Sequence, residues 1–131
     1  MEPLEEPQHI QLASLGKNSK KCPEVRDNFA WHVSEEQVDE QQSKLSLFIH
    51  GGSTTLKSKK KKYFSDFFHL DVNSGIWRKF FLFDSAKARE SHAMAKVDNL
   101  IFMCGGLGQN NTEFDDMWQF DLENVQWQEQ K

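Results

Sequence analysis

Cysteine and long apolar runs are both scarce in this chain. Only Cys22 and Cys104 occur among its 131 residues, and neither belongs to a CxxC pair. This usage excludes a disulfide-rich scaffold and favours a reducing, intracellular compartment. No apolar run of about 18 residues is present, and the amino terminus, MEPLEEPQHI, is acidic rather than basic and then apolar. We therefore predict no membrane span and no secretory signal, with a cytoplasmic location and the nucleus as the alternative.

The chain also lacks an excess of positive charge. Its 16 Lys and Arg residues stand against 20 Asp and Glu, for a net charge of −4. Nucleic-acid-binding domains typically carry a basic footprint over the whole domain. The balance therefore argues against nucleic acid and favours protein partners.

Motifs for catalysis and cofactor binding are missing as well. The five histidines are spread along the chain without a zinc-binding spacing. The serine nucleophile elbow, the phosphate loop and the dinucleotide fingerprint are absent. The acidic pairs Glu35-Glu36 and Asp115-Asp116 hold adjacent residues, which point to opposite faces of a strand. We expect a protein that is not an enzyme and that uses no cofactor or metal.

An internal repeat organises what is present. The segment Phe114 to Trp127, FDDMWQFDLENVQW, matches Phe64 to Trp77, FSDFFHLDVNSGIW, without a gap and at a constant offset (114 − 64 = 50). A diglycine precedes each copy and closes an apolar run, at Gly51-Gly52 and at Gly105-Gly106. A period of this length indicates a propeller, a solenoid or another repeat array.

The order of these elements resembles the kelch repeat, over about Cys22 to Gln130. In that family an Arg, a strand ending in Gly-Gly, an aromatic strand with Asp, and a Trp recur in order. The two units here contain Arg26, Gly51-Gly52, Asp66 to Asp71 and Trp77, and then Arg89, Gly105-Gly106, Asp116 to Asp121 and Trp127. The resemblance implies an all-β fold with two kelch-type four-stranded antiparallel blades of an incomplete β-propeller.

We divide the chain at residues 20 and 82. Residues 1–20 form an acidic tail, 21–82 the first blade and 83–131 the second. The run His9 to Leu12 is either an outer strand of a preceding blade or part of the tail. In the first blade, Asp27 to Val33 alternates in the manner of a half-buried strand, and a polar insertion follows at Ser34 to Ser43. The second blade has a tight turn at Asp98-Asn99 instead.

Three kinds of repeated residue are expected to be structural. Glycines permit a positive φ and a close backbone approach. Each repeated Asp precedes a turn, where its carboxylate can accept backbone N–H groups. Each repeated Trp brings a large ring that we expect to wedge between blades. The residues are Gly51, Gly52, Asp71, Trp77, Gly105, Gly106, Asp121 and Trp127.

Recognition is the remaining function, and loops are its expected location. In kelch propellers the loops after the diglycine and before the Arg gather on one face and usually bind a protein or peptide. Carried to this sequence, the resemblance makes Arg26, Lys59, Lys60, Lys61, Lys62, Arg89, Asn110 and Asn111 candidate partner-binding residues. For both arginines, pairing with a local carboxylate such as Asp27 or Glu90 is the structural alternative.

The lysine-rich loop leaves two functions open. The first is a non-catalytic scaffold or adaptor that binds a protein through loops on one face. The second is a nuclear or nucleic-acid-associated factor that uses Lys57 to Lys62, although a solvated hairpin tip explains the same charges. Propellers typically close with about 4 to 8 blades. Two blades therefore predict a segment of a larger protein, an oligomer, or a chain that docks onto other blades.

Overall fold

The computed structural model describes residues 10–11, 22–80 and 85–131, and nearly all of its regular structure is β. The strands and the single 3-10 turn are β1 (Ile10–Gln11), β2 (Ala30–Gln37), β3 (Ser43–His50), β4 (Ser53–Thr55), β5 (Lys61–Tyr63), β6 (Phe67–Asp71), β7 (Ile76–Phe80), β8 (Ala93–Val97), β9 (Leu100–Cys104), β10 (Leu107–Gly108), η1 (Gln109–Asn111), β11 (Thr112–Glu113), β12 (Met117–Asp121) and β13 (Gln126–Gln130).

Two antiparallel sheets of four long strands form the body of the protein. The first sheet has the order β7-β6-β3-β2, and the second has the order β13-β12-β9-β8. Equivalent strands occupy equivalent places, as an internal repeat requires. This arrangement confirms the predicted all-β fold and is consistent with two blades. The described residues do not close into a barrel.

Short hairpins follow each diglycine. β4 pairs with β5 in the first unit, and β10 pairs with β11 in the second. The aromatic strand of each unit therefore begins only at β6 or β12, because residues 64–66 and 114–116 are in neither strand nor hairpin. The two-residue strand β1 pairs with β7 at the outer edge of the first sheet. The remainder of the tail over 1–20 lies outside the described residues.

The polar insertion of the first unit belongs to its sheet. β2 and β3 pair from Ala30 and His50 out to Gln37 and Ser43, so much of the insertion extends this hairpin. Asp39 fixes the tip, because its Oδ1 accepts backbone hydrogen bonds from Gln41 and Gln42. The second unit turns at Asp98, which has a φ of 54°, and Val97 pairs directly with Leu100 there.

Aromatic side chains fill the space between the sheets. Phe67 and Phe80 stack on the first sheet with ring centroids 4.9 Å apart. Phe120 and Trp127 approach Phe67 from the second sheet at 4.9 and 5.3 Å. Ile101 and Met103 of β9 are fully buried in the same cluster. Burial of these large rings is the main apolar contribution that joins the sheets.

The two repeated tryptophans pack on different clusters. Trp127 lies in the core between the sheets, whereas Trp77 packs with Ile49 and Phe68 on the other face of the first sheet. Trp31 and Val33 are 58% and 49% exposed. The alternation at β2 predicts a half-buried strand, but its buried residue is Ala30, because these larger side chains point away from the second sheet.

The repeat is unequal in its aromatic residues. Phe67 contacts Trp127 and Phe80 contacts Phe120, but the second sheet has Met117 and Gln130 at the repeat positions of Phe67 and Phe80. Met117 is 43% exposed. A tryptophan packed against the second sheet would therefore lack the aromatic contact that Trp127 makes with the first sheet.

Strands β6 and β12 both end in an Asp whose carboxylate accepts a hydrogen bond from the backbone of the following turn. Asp71 Oδ1 accepts a hydrogen bond from the Asn73 backbone N–H at 3.1 Å. Asp121 Oδ1 accepts one from the Glu123 backbone N–H at 2.9 Å. These local bonds stabilise the hairpins that lead to β7 and β13.

In the described parts of the chain, no helix has the length and apolar character needed to cross a membrane.

Removing the Trp127 ring tests the core between the sheets. We expect Trp127→Ala to lower the free energy of unfolding by about 3 to 5 kcal/mol, because it opens a cavity where both sheets meet. Trp31→Ala is the matched control at an exposed ring and should change stability by less than about 0.5 kcal/mol. Urea denaturation followed by circular dichroism measures both. Equal stability of the two variants would contradict this packing.

Candidate partner-binding surface

A buried arginine anchors the second unit at its diglycine. The Arg89 guanidinium donates to both carboxylate oxygens of Asp116, at 2.6 and 2.9 Å, and to the Gly105 carbonyl at 2.9 Å. It also stacks over the Phe114 ring at 3.8 Å. Its planar fork suits this bidentate contact. The pair with Arg89 holds the pKa of the Asp116 carboxyl below its ordinary value.

Arg26 repeats the same arrangement in the first unit. It forms a bidentate ion pair with Asp66, donates to the Gly51 carbonyl at 3.2 Å and lies 3.8 Å from the Phe64 ring centroid. The side chains of Arg26 and Arg89 are 3% and 0% exposed. We assign both arginines a structural role, because their donors are used inside the fold and no face is left for a partner. Their carboxylate partners are Asp66 and Asp116 rather than Asp27 or Glu90.

The first diglycine, Gly51-Gly52, lies where the two units meet. Gly51 and Gly52 have φ of 73° and 101°, and a Cβ atom at Gly51 would lie 2.6 Å from the Arg89 carbonyl oxygen. The Gly52 N–H donates to that same carbonyl at 2.8 Å, and the Arg89 N–H donates to the Phe64 carbonyl at 3.1 Å. The Arg89 backbone thus binds the first unit while its side chain anchors the second.

Glu90 gathers three side chains of the first unit. It is buried, and it accepts hydrogen bonds from Ser53 Oγ at 2.5 Å, Lys61 Nζ at 2.7 Å and Asn28 Nδ2 at 3.2 Å. Burial raises the pKa of the Glu90 carboxyl, but the three hydrogen bonds and the Lys61 charge outweigh it and hold the pKa below its ordinary value. The β4-β5 hairpin is therefore tied to the second unit through one carboxylate.

The hairpin between β4 and β5 displays lysines at its tip. Two backbone hydrogen bonds close the tip. The Lys59 N–H donates to the Leu56 carbonyl and the Leu56 N–H donates to the Lys60 carbonyl, both at 2.8 Å. Lys57, Lys59 and Lys60 are exposed and form no ion pair with a described residue. We name Leu56 to Lys60 the lysine tip.

The other two candidate lysines are partly engaged within the fold. Lys61 pairs with Glu90, which raises the Lys61 pKa. Lys62 lies 3.6 Å from Glu24 and 5.1 Å from the Phe64 ring centroid. Of these five lysines, Lys61 and Lys62 therefore pair with carboxylates of the fold, whereas Lys57, Lys59 and Lys60 are exposed with no ion-pair partner among the described residues.

The amide turn η1 lies beside this hairpin. β5 contacts η1, and Asn110 and Asn111 both have a φ of 60° with exposed side chains. Asn tolerates this left-handed conformation better than most residues. The structure thus places the Asn110-Asn111 turn against β5, the strand that directly follows the lysine tip, although the sequence assigns the two loops to different units.

A histidine pair is buried at the same junction. His50 Nδ1 and His92 Nε2 form a 2.9 Å hydrogen bond, and no described atom pairs with His50 Nε2 or His92 Nδ1. Burial lowers the pKa of His92 to about 4, and Arg89 acts in the same direction. Burial also holds the pKa of His50 well below its ordinary value, with His92 and both arginines adding to the shift.

Few groups among the described residues could bind a metal ion or line a catalytic cavity. No group of three His, Cys, Asp or Glu residues there could hold a metal ion. An open cavity of about 220 Å³ is lined by both sheets, including Phe67, Phe80 and Trp127. Its one carboxylate, Asp66, is already bound by Arg26.

The Glu90 junction and the histidine pair were not predicted from the sequence as a site. One signal was present, because an acidic residue follows the repeated Arg in both units, Asp27 after Arg26 and Glu90 after Arg89. The partners Ser53 and Lys61 gave no such signal, since the second unit has Leu107 and Asn111 at the matching positions.

Comparisons with known proteins give a fold and no family. No protein-family model matches the chain, and no curated protein is similar to it. Among solved structures, the one titled "Structure of YjhT" matches with a TM-score of 0.55 and 13% sequence identity. The match covers 79% of this chain and 37% of that chain. At this identity the likeness shows the fold alone, and the chain spans just over a third of that protein's length.

The buried histidines predict a loss of stability in mild acid. Burial lowers the pKa values of His69, on β6, and of His92 to about 4 in the folded state, whereas an unfolded chain binds these protons below about pH 6.5. The free energy of unfolding therefore has its full value above about pH 6.5 and falls as the pH drops toward 4. The loss at pH 5 is about 1 to 2 kcal/mol per histidine. Glu90, Asp116 and Asp121 add losses only at lower pH, because their pKa values are lowered from carboxyl values.

Urea denaturation at a series of pH values measures this effect. The window between about pH 6.5 and 5 belongs to the histidines, since ordinary carboxyl groups titrate near pH 4. A free energy of unfolding that stays constant across that window would contradict neutral, buried histidines.

Proposed function

We propose that this chain is a pair of kelch-type repeats that acts as a non-catalytic interaction module, a scaffold or adaptor for a protein partner. The observation that carries the proposal is an ordered hairpin that displays the lysine tip and whose second strand, β5, contacts the Asn110-Asn111 turn. Loops held by a rigid scaffold are common places for binding. The kelch assignment is supported by two equivalent units that each join a buried Arg, a diglycine and a paired Asp.

Larger assembly is part of the proposal. The fold neighbour is a longer chain, of which this chain matches 37%. Further blades of the same protein or another chain would cover the outer face of the first sheet, where Trp31 and Val33 are exposed. A further blade could pack on the second sheet as the second sheet packs on the first. This association is less favourable, because the second sheet has Met117 and Gln130 where the first sheet has Phe67 and Phe80.

We place the module in the cytoplasm, with the nucleus as the alternative. The described cysteines, Cys22 and Cys104, are both free and exposed. Free surface thiols suit a reducing compartment.

Site-specific photo-crosslinking tests the binding surface. A photoreactive amino acid replaces Lys59 or Asn111 in two variants, and Gln126, exposed on the last strand, in a matched control. We expect the Lys59 and Asn111 variants to form the same protein adduct in an extract of the native cells, and excess unlabelled protein to compete for it. Adducts that form equally at Gln126, or that are not competed, would contradict the assigned surface.

The second candidate function is nucleic-acid association through the lysine tip, favoured by its three unpaired lysines. Contact of three lysines with single-stranded nucleic acid gives a slope of log binding constant against log salt of about −2. Replacement of Lys57, Lys59 and Lys60 by Gln should remove that slope. Absence of binding to oligonucleotides at low salt would eliminate this candidate.

A further inference from the structure

We propose that the surface formed by the lysine tip and the amide turn binds an acidic peptide segment, and that buried Glu90 positions the hairpin for it. This inference rests on the proposed function and names its partner class. Three exposed cations, Lys57, Lys59 and Lys60, lie within four consecutive positions of an ordered hairpin, with no ion-pair partner among the described residues. Exposed lysines attract carboxylates, and asparagine amides can both donate to and accept from a peptide backbone.

The size of the basic surface favours a peptide over a nucleic acid. Nucleic-acid binders present a basic stripe that follows several phosphates, often with exposed aromatic rings on which bases stack. Here the cluster of exposed lysines spans only the four positions from Lys57 to Lys60, and exposed carboxylates follow the amide turn in sequence at Glu113 and Asp115. Tyr63 is the aromatic residue of the hairpin, and it is only half-exposed. A short acidic run can pair with a cluster of three lysines, whereas a nucleic-acid strand carries phosphates well beyond it.

Glu90 is a positioning residue for this surface. Its carboxylate holds Ser53 at the start of β4 and Lys61 at the start of β5, so both strands of the hairpin are fixed to the second unit. η1 belongs to that second unit and follows Leu107, which pairs with the Glu90 backbone. The same residue therefore sets the distance between the lysine tip and the Asn110-Asn111 amides.

The two roles of Glu90 predict opposite effects of neutralising it. If it acted only through its negative charge, Glu90→Gln would strengthen the binding of an acidic peptide. As a positioning residue, it should weaken binding, because Lys61 loses its partner and the hairpin loosens. Asp27→Asn is the matched control, since it removes an exposed carboxylate at the equivalent repeat position. That control should leave affinity unchanged or slightly raised.

The experiment is a fluorescence-anisotropy titration of the whole chain with a labelled peptide rich in Glu and Asp. The comparison probes are the same peptide with Gln and Asn in place of the acids, and a single-stranded oligonucleotide. We expect binding of the acidic peptide alone, and a decrease of about tenfold for Lys59→Gln/Lys60→Gln. The control Lys44→Gln/Lys96→Gln changes net charge equally at other strands and should retain affinity.

Each result decides the inference. Tighter binding of the oligonucleotide than of the acidic peptide would overturn it in favour of nucleic acid. Equal losses in the two double variants, or stronger peptide binding by Glu90→Gln, would overturn the surface or the positioning role. Circular dichroism of Glu90→Gln under the same conditions checks that it is folded, and the lysine variants test the surface independently of it. A specific crosslink at Lys59 without acidic-peptide binding would leave the proposed function standing and remove this partner class.

Discussion

The structure depends on one contact made twice, a buried arginine held by an aspartate beside a diglycine. Arg89 is the more consequential of the two, because its side chain is fixed by Asp116 and Gly105 while its backbone binds Gly52 and Phe64 of the other unit. A buried guanidinium is costly unless its donors are satisfied. Here carboxylate, carbonyl and aromatic partners surround it, so each unit is stable only with the correct geometry at its diglycine.

Electrostatics and packing act at different depths of the same junction. Aromatic rings join the middle of the two sheets, around Phe67 and Trp127. Nearer the diglycines the contacts become polar, with the His50–His92 pair and then Glu90 with its three donors. Beyond Glu90 the hairpin projects the lysine tip into solvent. The surface that we assign to binding is therefore the outermost part of a continuous set of contacts that starts in the core.

Much of the fold could be predicted because the sequence repeat identifies equivalent elements in the two units. The diglycines, the Asp that precedes each turn and the aromatic strands locate the two repeats, and the resemblance to the kelch repeat implies four antiparallel strands in each. The burial of Arg26 and Arg89 could not be derived, since Asp66 and Asp116 lie 40 and 27 positions away in sequence. Exposure of Trp31 depends on which face of the first sheet the second sheet covers, and alternation alone does not contain that information. Of the proposed surface, the loops and lysines were visible in the sequence, but the role of Glu90 required the fold.

We infer that the two units form one cooperative body through this junction. Native-state hydrogen exchange tests this inference at the amides of Gly52, Arg89 and Ser91, whose hydrogen bonds cross between the units. We expect these amides to exchange with the same free energy as the central strands β3 and β9, in a single global opening. Rapid exchange at the three junction amides, with both sheets still protected, would show that the units open independently and would contradict it.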